Sequence, residues 1–234
     1  MSADIAGQLT SVRARIDAAA RSAGRAPDAV RLIAVSKTFP ISAIRTAFQA
    51  GQHEFGENKV QEGLQKITES TDLSIRWHLL GHLQRNKVRK AVAAFHTIHS
   101  VDSLELLMRL EDAAVELMRT PELLIQVDLA GETTKFGIAP AEVPRMLEAA
   151  ARCRAVRVVG LMTLPPEPDH PEDARPWFRR LRELRDGWIA GGVPSHLLRE
   201  LSMGMSGDFD VAIEEGATMV RVGTAIFGSR HVHE

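Results

Sequence analysis

A lysine stands at the point where a short apolar segment of this chain ends. Residues 31–36 have strand character, Lys37 follows them, and Pro40 precedes a helical pattern, so the stretch predicts a strand, a turn and a helix. One interpretation is that Lys37 marks the exit of the strand and exposes its ammonium group to solvent. The other is that a partly desolvated Lys37 amine has a lowered pKa and attacks an aldehyde, as Schiff-base lysines do. This segment alone favours the solvated lysine.

Two turns rich in small residues follow the seventh and eighth apolar segments, and both contain a hydroxyl group. The first includes Ser206 and Gly207, and the second includes Gly223 and Thr224. Glycine allows close approach of a ligand to the backbone, and amides of such turns, together with a helix expected to begin near Gly207, favour an anion. Either turn alone is typical of an ordinary strand-to-helix connection. Together, after strands seven and eight of a barrel, they favour a phosphate pocket.

An arginine interrupts the last apolar segment, which reads Met-Val-Arg-Val at 219–222. Burying the Arg221 guanidinium without partners would be costly. One explanation is a structural salt bridge to Glu200 or Glu214. The other is a hydrogen bond to the ring nitrogen of a bound heteroaromatic ligand, which a permanently protonated arginine would keep unprotonated.

Composition and charge exclude several classes of function. The 29 basic and 30 acidic residues are interspersed and give a net charge of −1, so a nucleic-acid-binding surface is not expected. The single Cys153 excludes an intrachain disulfide and a cysteine-based zinc site. Without an apolar leader or membrane-spanning stretch, the chain is expected to work in the reducing cytoplasm.

The nine histidines do not form a metal-ligand pattern, and most of them are expected to be structural or solvent-exposed. His82 is the exception, because it stands at a predicted strand end beside Gln84 and Asn86. No metal site is therefore predicted.

Apolar segments and helical patterns alternate along the chain. The predicted strands lie at 31–36, 53–55, 76–80, 96–99, 123–128, 156–162, 199–202 and 218–222. The predicted helices lie near 3–24, 40–50, 57–69, 84–94, 102–118, 140–152, 172–190 and 207–215, with a short one at the C-terminus. Eight such units predict an α/β fold, a single (β/α)8 TIM barrel, with an open doubly wound sheet as the alternative. Residues 1–234 are expected to form one domain, with an amphipathic N-terminal helix within residues 1–25 packed on the barrel.

Taken together, the lysine, the two turns and the arginine describe a site for pyridoxal 5′-phosphate (PLP). The chain resembles the pyridoxal phosphate homeostasis proteins, single-domain relatives of the alanine racemase barrel. The resemblance spans nearly the whole chain and rests on segments 34–38, 55–62, 77–87, 127–137, 160–162, 201–208 and 220–228.

The resemblance implies a role for each matching residue. Lys37 would form the aldimine with PLP, and Arg221 would face the pyridine nitrogen. Asn58, Met203 and Met162 would line the cofactor. The residues implied in phosphate binding are Ser206, Gly207, Gly223 and Thr224. Lys135, His82 and the Pro-rich loop at 164–170 receive no role.

Two classes of function remain open. The resemblance favours a cytoplasmic, monomeric protein that holds PLP for vitamin B6 homeostasis and passes it to PLP-dependent apo-enzymes. The alternative is a PLP-dependent racemase or related enzyme, but alanine-type racemases need a tyrosine base and an added domain, and this chain contains no tyrosine. A weaker possibility is an aldolase-type barrel that uses Lys37 on a sugar phosphate.

Overall fold

Eight parallel strands close into a barrel in chain order in the computed structural model, which describes residues 4–131 and 136–228. The first strand pairs with the eighth, so the sheet has no free edge. The strands are β1 (Arg31–Val35), β2 (Glu54–Glu57), β3 (Arg76–Leu79), β4 (Thr97–Val101), β5 (Glu122–Gln126), β6 (Arg157–Met162), β7 (Glu200–Ser202) and β8 (Met219–Val222). The predicted (β/α)8 barrel is confirmed, and the doubly wound alternative is wrong because the sheet closes.

Helices connect the strands and surround the barrel. They are α1 (Ile5–Ser22), α2 (Ile41–Gln49), α3 (Val60–Glu69), α4 (Val88–Ala94), α5 (Leu104–Leu117), α6 (Val143–Ala150), α7 (Arg175–Ala190), α8 (Phe209–Glu214) and α9 (Thr224–Phe227). Parallel strands require such crossovers, and this explains why the chain alternates between two hydrophobic periods. Within the described residues, no helix has both the length and the apolar character needed to cross a membrane.

The apolar core has two parts, because successive residues of a strand point to opposite faces. The larger part lies between the barrel and its helices. A smaller, separate cluster occupies part of the barrel interior and consists of Ile33, Leu124, Val159, Met162 and Met219. Some strands, such as β5 and β6, therefore read as nearly continuous apolar runs, since both of their faces are buried.

Helix α1 precedes the barrel and packs against α2, α8 and α9. Its buried face contains Leu9, Val12 and Ile16 at three- and four-residue spacing. The Asp4 carboxylate caps its first turn by accepting a hydrogen bond of 2.9 Å from the Gly7 amide. The predicted amphipathic N-terminal helix is therefore present and lies on the barrel.

A buried carboxylate ties α5 to the start of β6. Glu111 accepts hydrogen bonds from the backbone amides of Arg154, Ala155 and Val156, at 2.8 to 3.2 Å. Burial acts to raise the pKa of Glu111, but these amides outweigh it, and the pKa is lowered overall. The charged form is thus the one that the folded protein stabilises.

We expect Glu111→Gln to lower the free energy of unfolding by about 2 kcal/mol at neutral pH, because an amide group cannot accept all of these bonds. A lowered folded-state pKa contributes stability above the unfolded-state pKa, and that contribution disappears as the pH falls through the folded-state value. Urea unfolding of both proteins should therefore show a difference that is full at pH 7 and shrinks under acid. Glu116→Gln, an exposed change on the same helix, is the control. A difference that grows under acid would contradict this assignment.

Candidate functional site

Lys37 lies at the apex of a tight turn that follows β1. The turn spans residues 36–39 and is closed by a hydrogen bond of 3.0 Å from the Phe39 amide to the Ser36 carbonyl. Thr38, the third residue of the turn, has φ of 70°, a left-handed conformation that is unfavourable for a β-branched side chain. Lys37 itself is half-buried. The strained residue, Thr38, therefore directly follows the residue that carries the candidate amine.

The two small-residue turns contact each other through the Ser206 hydroxyl. Its oxygen accepts a hydrogen bond of 3.1 Å from the Gly223 amide and one of 3.4 Å from the Ala225 amide. A hydroxyl has two acceptor positions and one donor hydrogen. With both acceptor positions filled, the Ser206 O–H remains as a donor.

Three further backbone amides lie in these turns. Within the described part of the chain, the amides of Ser206, Gly207 and Thr224 donate no hydrogen bond to protein. A Cβ added at Gly207 would meet no heavy atom within 4 Å, so the backbone there faces open space. The first turn therefore presents N–H groups to open space, and α8 begins just after it, at Phe209, close to the expected start near Gly207.

Buried contacts hold this first turn in shape. The Asp208 carboxylate accepts a hydrogen bond of 2.6 Å from the Met205 amide, and the Gly204 carbonyl accepts one of 3.0 Å from the Arg221 amide. Burial raises the pKa of Asp208, which disfavours its negative charge next to a turn suited to an anion. Gly204 has φ of 91°, which side chains rarely adopt.

The Arg221 guanidinium is buried at the same end of the barrel. Its Nη1 donates to the Ser202 hydroxyl at 2.6 Å, and its Nη2 donates to the Thr163 carbonyl at 2.9 Å. Burial lowers the pKa of Arg221 to about 10, so the group keeps its charge at neutral pH. The proposed salt bridge to Glu200 or Glu214 is wrong. Glu200 instead pairs with Arg31 and Arg199, and Glu214 pairs with Arg175.

Two buried histidines extend this contact through the barrel interior. His99 Nδ1 lies 2.9 Å from the Ser202 hydroxyl, and His99 Nε2 lies 3.0 Å from His78 Nδ1. At the far end, His78 Nε2 lies 3.1 Å from a Glu54 oxygen, in an electrostatic contact without the geometry of a linear hydrogen bond. The sequence did not reveal this row, although His78 and His99 occupy strand positions that face the same interior.

The donor and acceptor of each hydrogen bond in this row can be assigned by starting from the Glu54 end. Burial lowers the pKa values of both His78 and His99, so both rings are neutral. The negative charge of the Glu54 carboxylate beside Nε2 favours the His78 tautomer with its proton on Nε2, which leaves Nδ1 as the acceptor. His99 must then donate from Nε2 and accept from the Ser202 hydroxyl. That hydroxyl is left with acceptor capacity for Arg221, which fixes the position of the guanidinium.

The other predicted residues take varied positions. Asn58 follows β2 and is half-buried, while Met203 is fully buried in the larger core and Met162 in the interior cluster. His82 Nδ1 lies 3.2 Å from an Asp102 oxygen, and its ring stacks on Phe136. Lys135 lies outside the described residues. Among those that are described, no three His, Cys, Asp or Glu side chains converge in a metal-binding group.

The candidate residues come from neighbouring strands. Lys37 follows β1, Arg221 lies on β8 and the first turn follows β7; β1 pairs with β8, and β8 pairs with β7. Gly223 lies against the end of β1, since an added Cβ there would be 3.2 Å from the Val35 carbonyl. An amine, a buried cation and a group of backbone donors are thus assembled at one end of the barrel. This set fits a ligand that combines an aldehyde, a heteroaromatic ring and a phosphate.

Known proteins resemble this chain in both sequence and fold. The family model described as alanine racemase, N-terminal domain, matches residues 8–231. The pyridoxal phosphate homeostasis protein of Aquifex aeolicus is 43% identical over 223 residues, covering 95% of this chain and 97% of that protein. The protein of the same name from Escherichia coli K12 is 40% identical over 231 residues, covering 97% of each chain. The structure of PipY from Synechococcus elongatus with PLP bound has a TM-score of 0.85 and 43% identity, covering 96% of this chain and all of that one.

Proposed function

The chain belongs to the alanine racemase N-terminal domain family and, within it, to the pyridoxal phosphate homeostasis proteins, and we propose that it binds PLP for intracellular PLP homeostasis. The observation that carries this proposal is that Lys37 and the amides of Ser206, Gly207 and Thr224, which donate no hydrogen bond within the described residues, lie at the same end of the barrel. The PLP-bound PipY structure, which has the same fold and 43% identity, supports it.

Each part of the ligand has a proposed partner. Ser206, Gly207, Gly223 and Thr224 hold the phosphate through backbone amides and hydroxyl groups. Asn58 and Met203 line the ring from β2 and from the turn after β7. Lys37 supplies the primary amine. When bound, PLP supplies an aldehyde that condenses with such an amine and releases water.

Arg221 is proposed to donate a hydrogen bond to the pyridine nitrogen. It is a fixed cation: Ser202, Thr163 and the histidine row hold the guanidinium before any ligand arrives. Because the guanidinium only donates hydrogen bonds and cannot accept one from a pyridinium N–H, the ring nitrogen facing it stays unprotonated. The ring is then a weaker electron sink, which suits a protein that stores the cofactor.

We expect Arg221→Ala to change the absorption spectrum of the bound cofactor while weakening binding by only about tenfold, or 1.4 kcal/mol. Lys37 and the phosphate-binding amides remain in this variant, which loses the contact with the ring together with the hydrogen bonds to Ser202 and the Thr163 carbonyl. Spectra and PLP titrations of both proteins, with melting temperatures, measure the effect. Arg199→Ala, an exposed change just before β7, is the matched control. Undetectable cofactor binding by a folded Arg221→Ala variant would contradict the assigned role.

We propose storage and transfer of PLP in place of amino-acid turnover. Residues 1–234 would act as a single PLP-binding domain, a cytoplasmic monomer that binds no nucleic acid and passes PLP to enzymes that require it. The sequence contains no tyrosine, the base that alanine-type racemases place opposite the lysine. A racemase or related enzyme is the alternative.

The test combines transfer and turnover. The PLP-loaded protein is mixed with an aminotransferase stripped of its cofactor, and recovery of aminotransferase activity reports transfer. The same preparation is incubated with L-amino acids, and chiral chromatography measures loss of optical purity. We expect transfer without racemisation. Racemisation with many turnovers per protein molecule would establish the enzyme and overturn the storage function.

A further inference from the structure

A buried ionic cluster lies directly behind the turn that presents Lys37. Its centre is Lys66 on α3, which is only 6% exposed. The Lys66 ammonium contacts three oxygens: the Ser36 carbonyl at 2.7 Å, Glu57 Oε1 at 2.8 Å and Glu62 Oε1 at 2.7 Å. Three donor hydrogens are thus matched by three acceptors, which is a complete set for a lysine.

The cluster contacts the backbone on both sides of Lys37. On one side, the Ser36 carbonyl accepts from Lys66, and the Ser36 hydroxyl donates to Glu57 at 2.6 Å. On the other side, the Thr38 amide donates to Glu62 Oε1 at 2.5 Å. Glu62 and Lys66 are one helical turn apart on α3, so a single rigid helix face contacts both neighbours of the candidate amine.

This arrangement explains how the strain at Thr38 is maintained. A β-branched residue does not remain at φ of 70° unless other contacts determine its conformation. The Glu62 carboxylate accepts a charge-assisted hydrogen bond from the Thr38 amide, and the Lys66 ammonium donates one to the Ser36 carbonyl that closes the turn. Without these two contacts the turn is expected to relax toward negative φ, and the direction of the Lys37 side chain would change with it.

We propose that Lys66 and Glu62 are positioning residues that hold the 36–39 turn in its strained form, so that the Lys37 amine points at the cofactor aldehyde. This inference rests on the proposed function for the identity of the ligand. Lys66, Glu62 and Glu57 are together called the clamp, and its effect on the turn can be tested without the cofactor. None of the three touches the reacting atoms in this assignment; they act through the Ser36 carbonyl and hydroxyl and through the Thr38 amide.

The first experiment measures two rates at Lys37 by peptide mass spectrometry. One is covalent capture of PLP, quenched at intervals with borohydride; the other is acetylation by acetic anhydride in protein freed of cofactor. We expect Glu62→Ala to slow PLP capture about tenfold and to alter acetylation of Lys37. Glu62→Gln keeps an oxygen that can accept from the Thr38 amide, and it should stay within about threefold of the unchanged protein. Glu69→Ala, an exposed change on α3, should have no effect.

Two outcomes would overturn the clamp. One is capture at the unchanged rate by a folded Glu62→Ala variant; the other is equal slowing by Glu62→Gln and Glu62→Ala, which would show a charge effect.

A second experiment needs no variant and measures hydrogen exchange of the Thr38 amide in the unchanged protein. Thr38 is exposed, so its amide is expected to be protected at least a hundredfold only if Glu62 holds it, and exchange at the free rate would also overturn the clamp. If the unchanged protein captures no PLP at Lys37, the proposed function fails, while acetylation and exchange still test the clamp.

Discussion

Lys37→Ala is expected to abolish covalent retention of PLP and to weaken total binding at least about a hundredfold, the equivalent of 2.8 kcal/mol. The primary amine is the group that bonds to the aldehyde, and the other lysine beside this turn, Lys66, has its ammonium bonded to three oxygens. The phosphate-binding turns are untouched, so weak non-covalent binding should remain. Absorption spectra before and after borohydride reduction, with intact-protein mass, measure the loss.

A matched change separates this effect from general loss of positive charge. Lys87→Ala alters a lysine in the short helical turn before α4, and it should leave both the spectrum and the borohydride-trapped mass unchanged. The Lys37→Ala melting temperature should stay within a few degrees of the unchanged protein, since the side chain is only half-buried. Retention of a borohydride-stable PLP adduct by Lys37→Ala would refute the assignment of the attachment residue.

Gly207→Asp is expected to reduce PLP affinity at least about a hundredfold while the protein remains folded. A Cβ at this position meets no protein atom within 4 Å, and Gly207 does not have the left-handed φ that would resist a side chain. The new carboxylate would lie in the space assigned to the phosphate. Like charges at about 4 Å repel by roughly 4 kcal/mol at an effective dielectric constant of 20. Isothermal titration with PLP measures the loss.

The control uses the same position and a second ligand. Gly207→Ala adds a methyl group without charge, and its PLP affinity should stay within about fivefold, or 1 kcal/mol, of the unchanged protein. Pyridoxal, which lacks the phosphate, should bind Gly207→Asp and the unchanged protein equally. If Gly207→Asp weakens pyridoxal and PLP by the same factor, the turn does not bind the phosphate.

Much of the site could be predicted from the sequence because strand ends in a parallel barrel meet at one face. The alternation of apolar segments and helical patterns predicted the eight strands with boundaries close to those observed. Once the barrel was predicted, Lys37, Arg221 and the turns containing Ser206 and Gly223 had to lie at the same end. Residue type then identified the amine, the cation and the flexible backbone. The roles of these residues in binding PLP remain predictions.

Other features could not be predicted, because they depend on contacts between residues distant in sequence. The Arg221 guanidinium is paired with Ser202 and the Thr163 carbonyl, and not with a carboxylate as one interpretation expected. His78 and His99 looked like isolated histidines until the closed sheet brought β3 and β4 together. Their spacing along the chain contains no signal for a shared interior position.

The sequence by itself determined the barrel and the end of it at which the candidate residues lie, since hydrophobic period and strand order depend on local residue type. Only the tertiary structure decided how the reactive groups are held. Glu62 lies 24 residues from Thr38 and Lys66 lies 30 residues from Ser36, and both contacts exist only when α3 packs against the turn that follows β1. The Lys66 ammonium is buried there because the fold supplies an acceptor for each of its three donor hydrogens. No pattern in the linear sequence predicts that set of acceptors.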